Sequence, residues 1–164
     1  MVEGSTTGDS PGEMSIDPDV VADPTRPLHR RPSALALVFV GGVLGTLARY
    51  GVEEAIPHRS PDWPVATFAI NIVGAFVLGL LLENLARRGP DVGARQKLRL
   101  AAGTGFCGAF TTYSTFALET VLLTRDGHWA TALGYGASTV LLGALAAWAG
   151  IVLGAAVHRD RSAR

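Results

Sequence analysis

Cysteine is almost missing from this chain: Cys107 stands alone in 164 residues. A single thiol excludes an internal disulfide framework and any paired-cysteine zinc or redox site. Net charge is missing too, since 14 basic side chains balance 14 acidic ones, and with it goes the basic footprint that nucleic acid requires. There is no Gly-Lys-Ser phosphate loop, no carboxylate pair inside an apolar stretch and no histidine cluster at metal spacing. Those are the residue sets that nucleotide use, acid–base catalysis and metal chemistry draw on. The chain therefore reads as a non-enzyme, and any transport it performs is not driven by ATP bound to it.

What is present is apolar and unevenly punctuated. Hydrophobic residues make up 48% and charged residues 17%, with 20 glycines. Six acidic residues, from Glu3 to Asp23, are packed into the first 23 positions. Most other charges sit in short clusters separated by long uncharged runs, which is how a membrane protein distributes polarity. Residues 1–32 hold Gly, Ser, Thr, Asp and five prolines without apolar periodicity, so they are expected to form a disordered tail. The acidic start is not that of a secretory signal.

Four runs approach the roughly 20 apolar residues needed to cross the hydrocarbon. They are Ser33–Tyr50, Val65–Leu82, Leu98–Leu123 and Trp129–Val157, joined by short loops carrying Pro57, Pro61 and Pro64, then Gly89-Pro90-Asp91, then Asp126-Gly127. The expected fold is an all-α integral membrane protein of four transmembrane helices, a channel-sized domain over 33–158, ending in a short basic tail, 159–164. Arg26, Arg30 and Arg31, the Arg87–Arg99 cluster, and Arg159, Arg161 and Arg164 fall on one side of such a topology. That side holds eleven Lys and Arg against two, Arg59 and Arg125, on the other. The bias predicts a plasma-membrane protein with both termini cytoplasmic.

Small residues recur at helix-contact spacing in Gly41-x-x-x-Gly45, Gly150-x-x-x-Gly154 and the weaker Ala75-x-x-x-Gly79. Close backbone approach there serves either a tight oligomer or packing within one subunit. Polar residues inside the apolar runs define candidate sites. Arg49 ends the first run, where it snorkels to the headgroups or serves a pathway. Asn71 falls mid-span with Thr67 and Gly74 on its face, and its amide takes either a neighbouring helix or a ligand. The third run thins at Gly103, Gly105 and Gly108 before Thr111-Thr112-Tyr113-Ser114-Thr115-Phe116. A broken helix is expected, because irregular backbone at membrane depth belongs beside protein or a wet cavity. Glu119 lies one turn beyond Thr115. In the fourth run, Thr131, Tyr135, Ser138 and Thr139 share a face, either as an anion track or as bonds to neighbouring helices. Cys107 reads as a small packing residue.

In this order, Gly41-Gly42-x-x-Gly45-x-x-x-Arg49-Tyr50, Thr67-x-x-x-Asn71-x-x-Gly74-x-Phe76-x-Leu78-Gly79, and the run from Gly105 to Phe116 resemble the Fluc (CrcB-type) fluoride channel family. The resemblance covers about residues 33 to 157. It implies passive, selective fluoride export through pores in an antiparallel dimer, with the third helix broken. By the same resemblance, Asn71 lines the pore as an amide donor, and Tyr113 and Phe116 take the places of two pore phenylalanines. Thr112, Ser114, Tyr135 and Thr139 form a polar track, Glu119 and Arg49 stand at a vestibule, and the carbonyls of Gly108 and Thr111 help hold a structural sodium ion. Tyr113 departs from the family by adding a hydroxyl, and beyond Thr139 the track ends, at Gly143 and Ala147. The charge bias favours an antiparallel heterodimer with an oppositely oriented paralogue over a homodimer. Two rivals remain. A small multidrug exporter needs a carboxylate embedded in the first helix, whereas Glu53 and Glu54 are expected beyond its end. A non-conducting partner subunit would tolerate substitution of Asn71 or Phe116.

Overall fold

A computed structural model describes residues 31–58 and 62–162, with side chains as far as Val157. The expected tail is outside the described residues apart from Arg31 and Pro32. Every regular element among the described residues is helical. They are α1 (Pro32–Ala55), α2 (Val65–Arg87), α3 (Ala94–Leu98), a π-helical stretch (Arg99–Cys107), α4 (Gly108–Phe110), α5 (Tyr113–Arg125) and α6 (Trp129–Ser162).

Local chemistry sets the ends. Pro32 opens α1, where its missing N–H costs nothing, and Pro57 follows the C-cap Ile56. After α2 the chain reverses through Gly89 at φ 108°. The reversal is stapled by the Arg95 guanidinium, which donates to the carbonyls of Pro90 (2.9 Å) and Arg88. Arg99 adds a 2.6 Å bond to Asp91. Between α5 and α6, Gly127 at φ 85° donates to the Thr124 carbonyl and His128 to that of Leu123. That is the paired bonding of a left-handed helix cap.

Three helices, α1, α2 and Trp129–Val157 of α6, are long and apolar enough to cross a membrane. Two outrun their expected ends. Helix α1 continues to Ala55, so Glu53 and Glu54 sit in its last turn rather than beyond it. Helix α6 continues to Ser162, so the first residues of the basic tail extend the helix. The third apolar run is not one helix: it widens into nine π-helical residues and is then interrupted at Thr111 and Thr112.

Glycine fixes the packing, and it does so inside the subunit. A Cβ at Gly41 would strike the Ala101 carbonyl, and one at Gly45 the Phe106 carbonyl. A Cβ on Gly105 would stand 2.7 Å from the Val38 oxygen. Helix α1 therefore lies backbone to backbone against the π stretch, the two running parallel. Helices α2 and α6 are joined in the same way. Gly79 meets Ala147, Gly150 meets Phe76 and Leu80, and Gly154 meets Glu83 and Asn84. Both glycine pairs read from the sequence are thus spent on contacts within one chain.

The interior this leaves is polar and aromatic. Thr67, Gln96, Thr112, Glu119 and Thr139 are buried, and Leu123, Ala132 and Tyr135 form a small cluster edged by Phe68 and Phe116. Large aliphatic side chains such as Leu47, Val73, Leu133, Leu141 and Leu145 point outward. This inverts the arrangement of a water-soluble domain and suits a lipid surround.

Candidate functional site

The site is built on the interruption. Thr111 (φ −72°, ψ 154°) and Thr112 (φ −144°, ψ 118°) are extended, so the ladder of helical hydrogen bonds cannot continue through them. Asn71 on α2 bridges the gap. Its Oδ1 accepts the Thr112 N–H at 2.9 Å, and its Nδ2 donates to the Thr112 carbonyl at 3.1 Å. One amide thereby bonds both backbone groups of Thr112 and replaces the helical partner that its N–H has lost. Gly74, three residues along α2, leaves room for the Thr111 methyl, which any Cβ there would overlap.

Thr112 also starts α5 as its N-cap. Its Oγ1 accepts the Thr115 N–H at 3.2 Å, the usual service of a threonine at that position. The same hydroxyl lies 3.0 Å from Thr115 Oγ1 and 3.3 Å from Ser114 Oγ. Thr111 Oγ1 donates back to the Cys107 carbonyl at 2.9 Å.

The two diverted N–H groups decide which carbonyls are left over. In an unbroken helix the Thr112 N–H would close on the Gly108 carbonyl, and the Thr115 N–H on that of Thr111. Asn71 and the Thr112 hydroxyl take those donors instead. The two carbonyl oxygens therefore have lone pairs to offer, and hard oxygen donors of this kind fit a hard cation. Among the described residues no group of three or more His, Cys, Asp or Glu is placed to hold a metal ion, so side-chain metal chemistry has no site there.

One turn along α5 is a second polar cluster. Glu119 is buried, and each carboxylate oxygen takes one hydroxyl: Thr67 donates to Oε1 at 2.8 Å and Tyr135 to Oε2 at 2.7 Å. His58, from the loop after α1, places Nε2 3.6 Å from Oε1. Aromatic rings surround the cluster. Phe116 packs on Tyr135 (5.2 Å between centroids) and Tyr113 on Phe116 (6.1 Å), while Trp63 meets Tyr135 edge-on at 5.7 Å. Tyr135 is wholly buried, but Tyr113 is 81% exposed.

The remaining residues singled out by sequence divide. Thr139 is buried, yet its hydroxyl donates to the Tyr135 carbonyl of its own helix at 2.7 Å, and Ser138 does likewise at 3.2 Å. Among the described residues, both hydroxyls thus donate within their own helix. Arg49 is half-buried on α1 and makes no hydrogen bond or ion pair with the described residues, so it is not joined to the Glu119 cluster. Cys107 is buried as a packing residue. His58, Trp63 and the pairing of Thr67 with Glu119 were not foreseen. Thr67 carried a signal in its shared face with Asn71. The loop residues carried none, because their contacts arise only when α2, α5 and α6 come together.

Comparison with known proteins follows from this geometry. Residues 36–151 match the family described as "CrcB-like protein, Camphor Resistance (CrcB)". The chain is 50% identical over 131 residues to the "Fluoride-specific ion channel FluC 2" of Leifsonia xyli subsp. xyli, covering 80% of this chain and 90% of that one. It is 46% identical over 135 residues to "Fluoride-specific ion channel FluC 1" of Cutibacterium acnes, covering 82% and 94%. With "Fluoride-specific ion channel FluC 2" of Moorella thermoacetica it shares 44% identity over 114 residues, covering 69% and 89%.

Proposed function

This chain belongs to the CrcB-like family of FluC fluoride-specific ion channels, and on that premise we propose that it lets fluoride leave the cell passively and so relieves fluoride toxicity. It is a membrane protein and not an enzyme. The observation that carries the proposal is the 50% identity with a named fluoride-specific channel along 90% of that protein's length. The family match, residues 36–151, encloses the break and the side chains bonded to it.

The pathway assigned here passes the break. Asn71 uses one amide hydrogen on the Thr112 carbonyl; an amide carries two, and the second is offered to the ion. Tyr113 and Phe116 present ring edges, the positive end of the aromatic quadrupole, which face an anion without a full charge. Ser114 supplies a hydroxyl beside them, and Thr112, Tyr135 and Thr139 continue the polar track when their hydroxyl hydrogens turn from Thr115, Glu119 and the Tyr135 carbonyl to the ion. Glu119 and Arg49 belong to the vestibules.

The carbonyls of Gly108 and Thr111 would hold the sodium ion, which would supply fixed positive charge beside the break. The chain's own part is to keep those carbonyls free by holding the Thr112 and Thr115 N–H groups elsewhere. The third apolar run crosses the membrane as a broken span, and two subunits pair antiparallel. Support for pairing comes from the outward position of Tyr113 and from the open space beside Gly108. A groove of about 410 Å³ between Phe39, Gly42, Val43, Thr46, Leu47 and Ala109 offers a further apolar seat.

The test is fluoride efflux from liposomes holding the purified chain, read by an ion-selective electrode with chloride as control. Fast, fluoride-selective efflux is the expected result, from the chain alone or with its oppositely oriented paralogue. Silence in both preparations would overturn the channel reading and leave the non-conducting subunit. Asn71→Ala and Phe116→Ala should each lower the flux at least tenfold, a loss of about 1.4 kcal/mol in barrier terms.

A further inference from the structure

Outside the pathway just described, the described residues hold one ionisable group set against a buried charge from a loop. His58 belongs to the segment that links α1 to α2, yet its Nε2 stands 3.6 Å from Glu119 Oε1 on α5. Its side chain keeps 30% of its exposure, whereas that of Glu119 keeps 9%. The carboxylate thus sits inside, the imidazole reaches both it and water, and a proton can arrive without crossing the protein.

Chemistry at Glu119 leaves a role for such a partner. Its two hydroxyl donors, Thr67 and Tyr135, satisfy one oxygen each, but neither carries a charge. A buried carboxylate bonded only by neutral donors keeps its negative field. An anion approaching the aromatic pair Tyr113–Phe116, one turn away, meets that field as a barrier. A cation beside Oε1 would cancel it.

Among the described residues, the helices packed against the cluster place no other cation beside Glu119. Helix α2 has no charged residue from Val65 to Leu82, and the one ionisable side chain of α6 from Trp129 to Val157 is the Tyr135 hydroxyl. Helix α5 adds Tyr113 and, at its far end, Arg125; the turn beyond carries Asp126 and His128. Around the loop, Glu53, Glu54 and Asp62 are acidic, and Arg59, which follows His58 in the sequence, is basic and lies outside the described residues. Histidine is the side chain whose ordinary charge change falls between pH 5 and 8.

We infer that His58 is a positioning residue for anion entry, a loop-borne counter-charge that on protonation neutralises Glu119 and eases fluoride past it. The inference rests on the channel reading. It makes fluoride flux rise on acidification, on the face that carries the α1–α2 loop.

The experiment compares fluoride efflux from liposomes at pH 7.5 and pH 6.0 for the wild type, His58→Gln and His58→Arg, each corrected against protein-free vesicles for permeation of neutral HF. Wild-type flux should rise about fivefold on acidification, the factor that matches a partly exposed ion pair of ordinary strength. His58→Gln should keep the pH 7.5 flux and lose the rise. His58→Arg should be fast at both pH values. A flat wild-type profile, or a rise that survives His58→Gln, overturns the role of His58 and leaves the channel intact. Absence of flux at either pH, alone and with the paralogue, overturns the channel reading and this inference with it.

Discussion

Asn71 holds both backbone polar groups of Thr112, the residue at which the helix is interrupted, through bonds of 2.9 and 3.1 Å. Truncation to alanine would leave the Thr112 N–H unpaired at a buried residue and take one donor from its carbonyl. An unpaired buried group costs about 1–3 kcal/mol and a lost hydrogen bond about 1 kcal/mol net, so Asn71→Ala should lower stability by roughly 2–4 kcal/mol. The unfolding midpoint in detergent should fall accordingly. An unchanged midpoint would mean that the break holds without α2. Thr67→Val is a finer probe, since it keeps the volume and removes one donor from Glu119. Its loss should be near 1–3 kcal/mol. It should also couple with Glu119→Gln in a double-mutant cycle, because the two groups share one bond. Thr67 and Glu119 are 52 residues apart. Chemistry names each as a polar residue that needs a partner, but nothing in one chain's order of residues says that each is the other's.

The elements follow from glycine and proline more than from hydrophobicity. Because Gly41 and Gly45 each face a carbonyl of the π stretch, a side chain at either forces two backbones apart. Gly41→Val and Gly45→Val should abolish a monodisperse peak on gel filtration, while Gly51→Ala, with open space around its Cβ, should leave it intact. Equal tolerance of all three would contradict the close approach of α1. The starts of α1, α2 and α6 were legible, since Pro32, Pro64 and the Asp126-Gly127 turn punctuate the sequence. So was the break, because four serine and threonine residues in six signal backbone that a lipid-facing helix would not hold. The π widening of Arg99–Cys107 was not legible. No residue type in Arg99–Cys107 marks it; it answers the shape of α1, which only the packed pair defines. The glycine pairs were ambiguous for the same reason, as spacing states that a helix is approached closely but not by which neighbour.

At the scale of the whole molecule, charge placement and packing bear on one question, how the chain sits in its membrane. Helix α1 runs parallel to the π stretch and α2 parallel to α6, the relation expected of spans that cross alternately up and down. In that topology eleven Lys and Arg gather on one side and two on the other. Orientation responds to Lys and Arg near span ends rather than to net charge, so the neutral total does not weaken the bias. A chain that pairs antiparallel with itself must insert both ways in equal number, and an imbalance of this size opposes that. The chain should therefore insert in one orientation, termini inside, and take its antiparallel partner from a second, oppositely biased sequence. Fusions of a cytoplasmically active fluorescent reporter and a periplasmically active phosphatase to the C-terminus read this directly. Fluorescence with little phosphatase activity is expected. Replacing Arg87, Arg88 and Lys97 with glutamine should raise the phosphatase signal by weakening the bias. Comparable signals from both reporters in the unmodified chain would show that it pairs with its own inverted copy despite its charges.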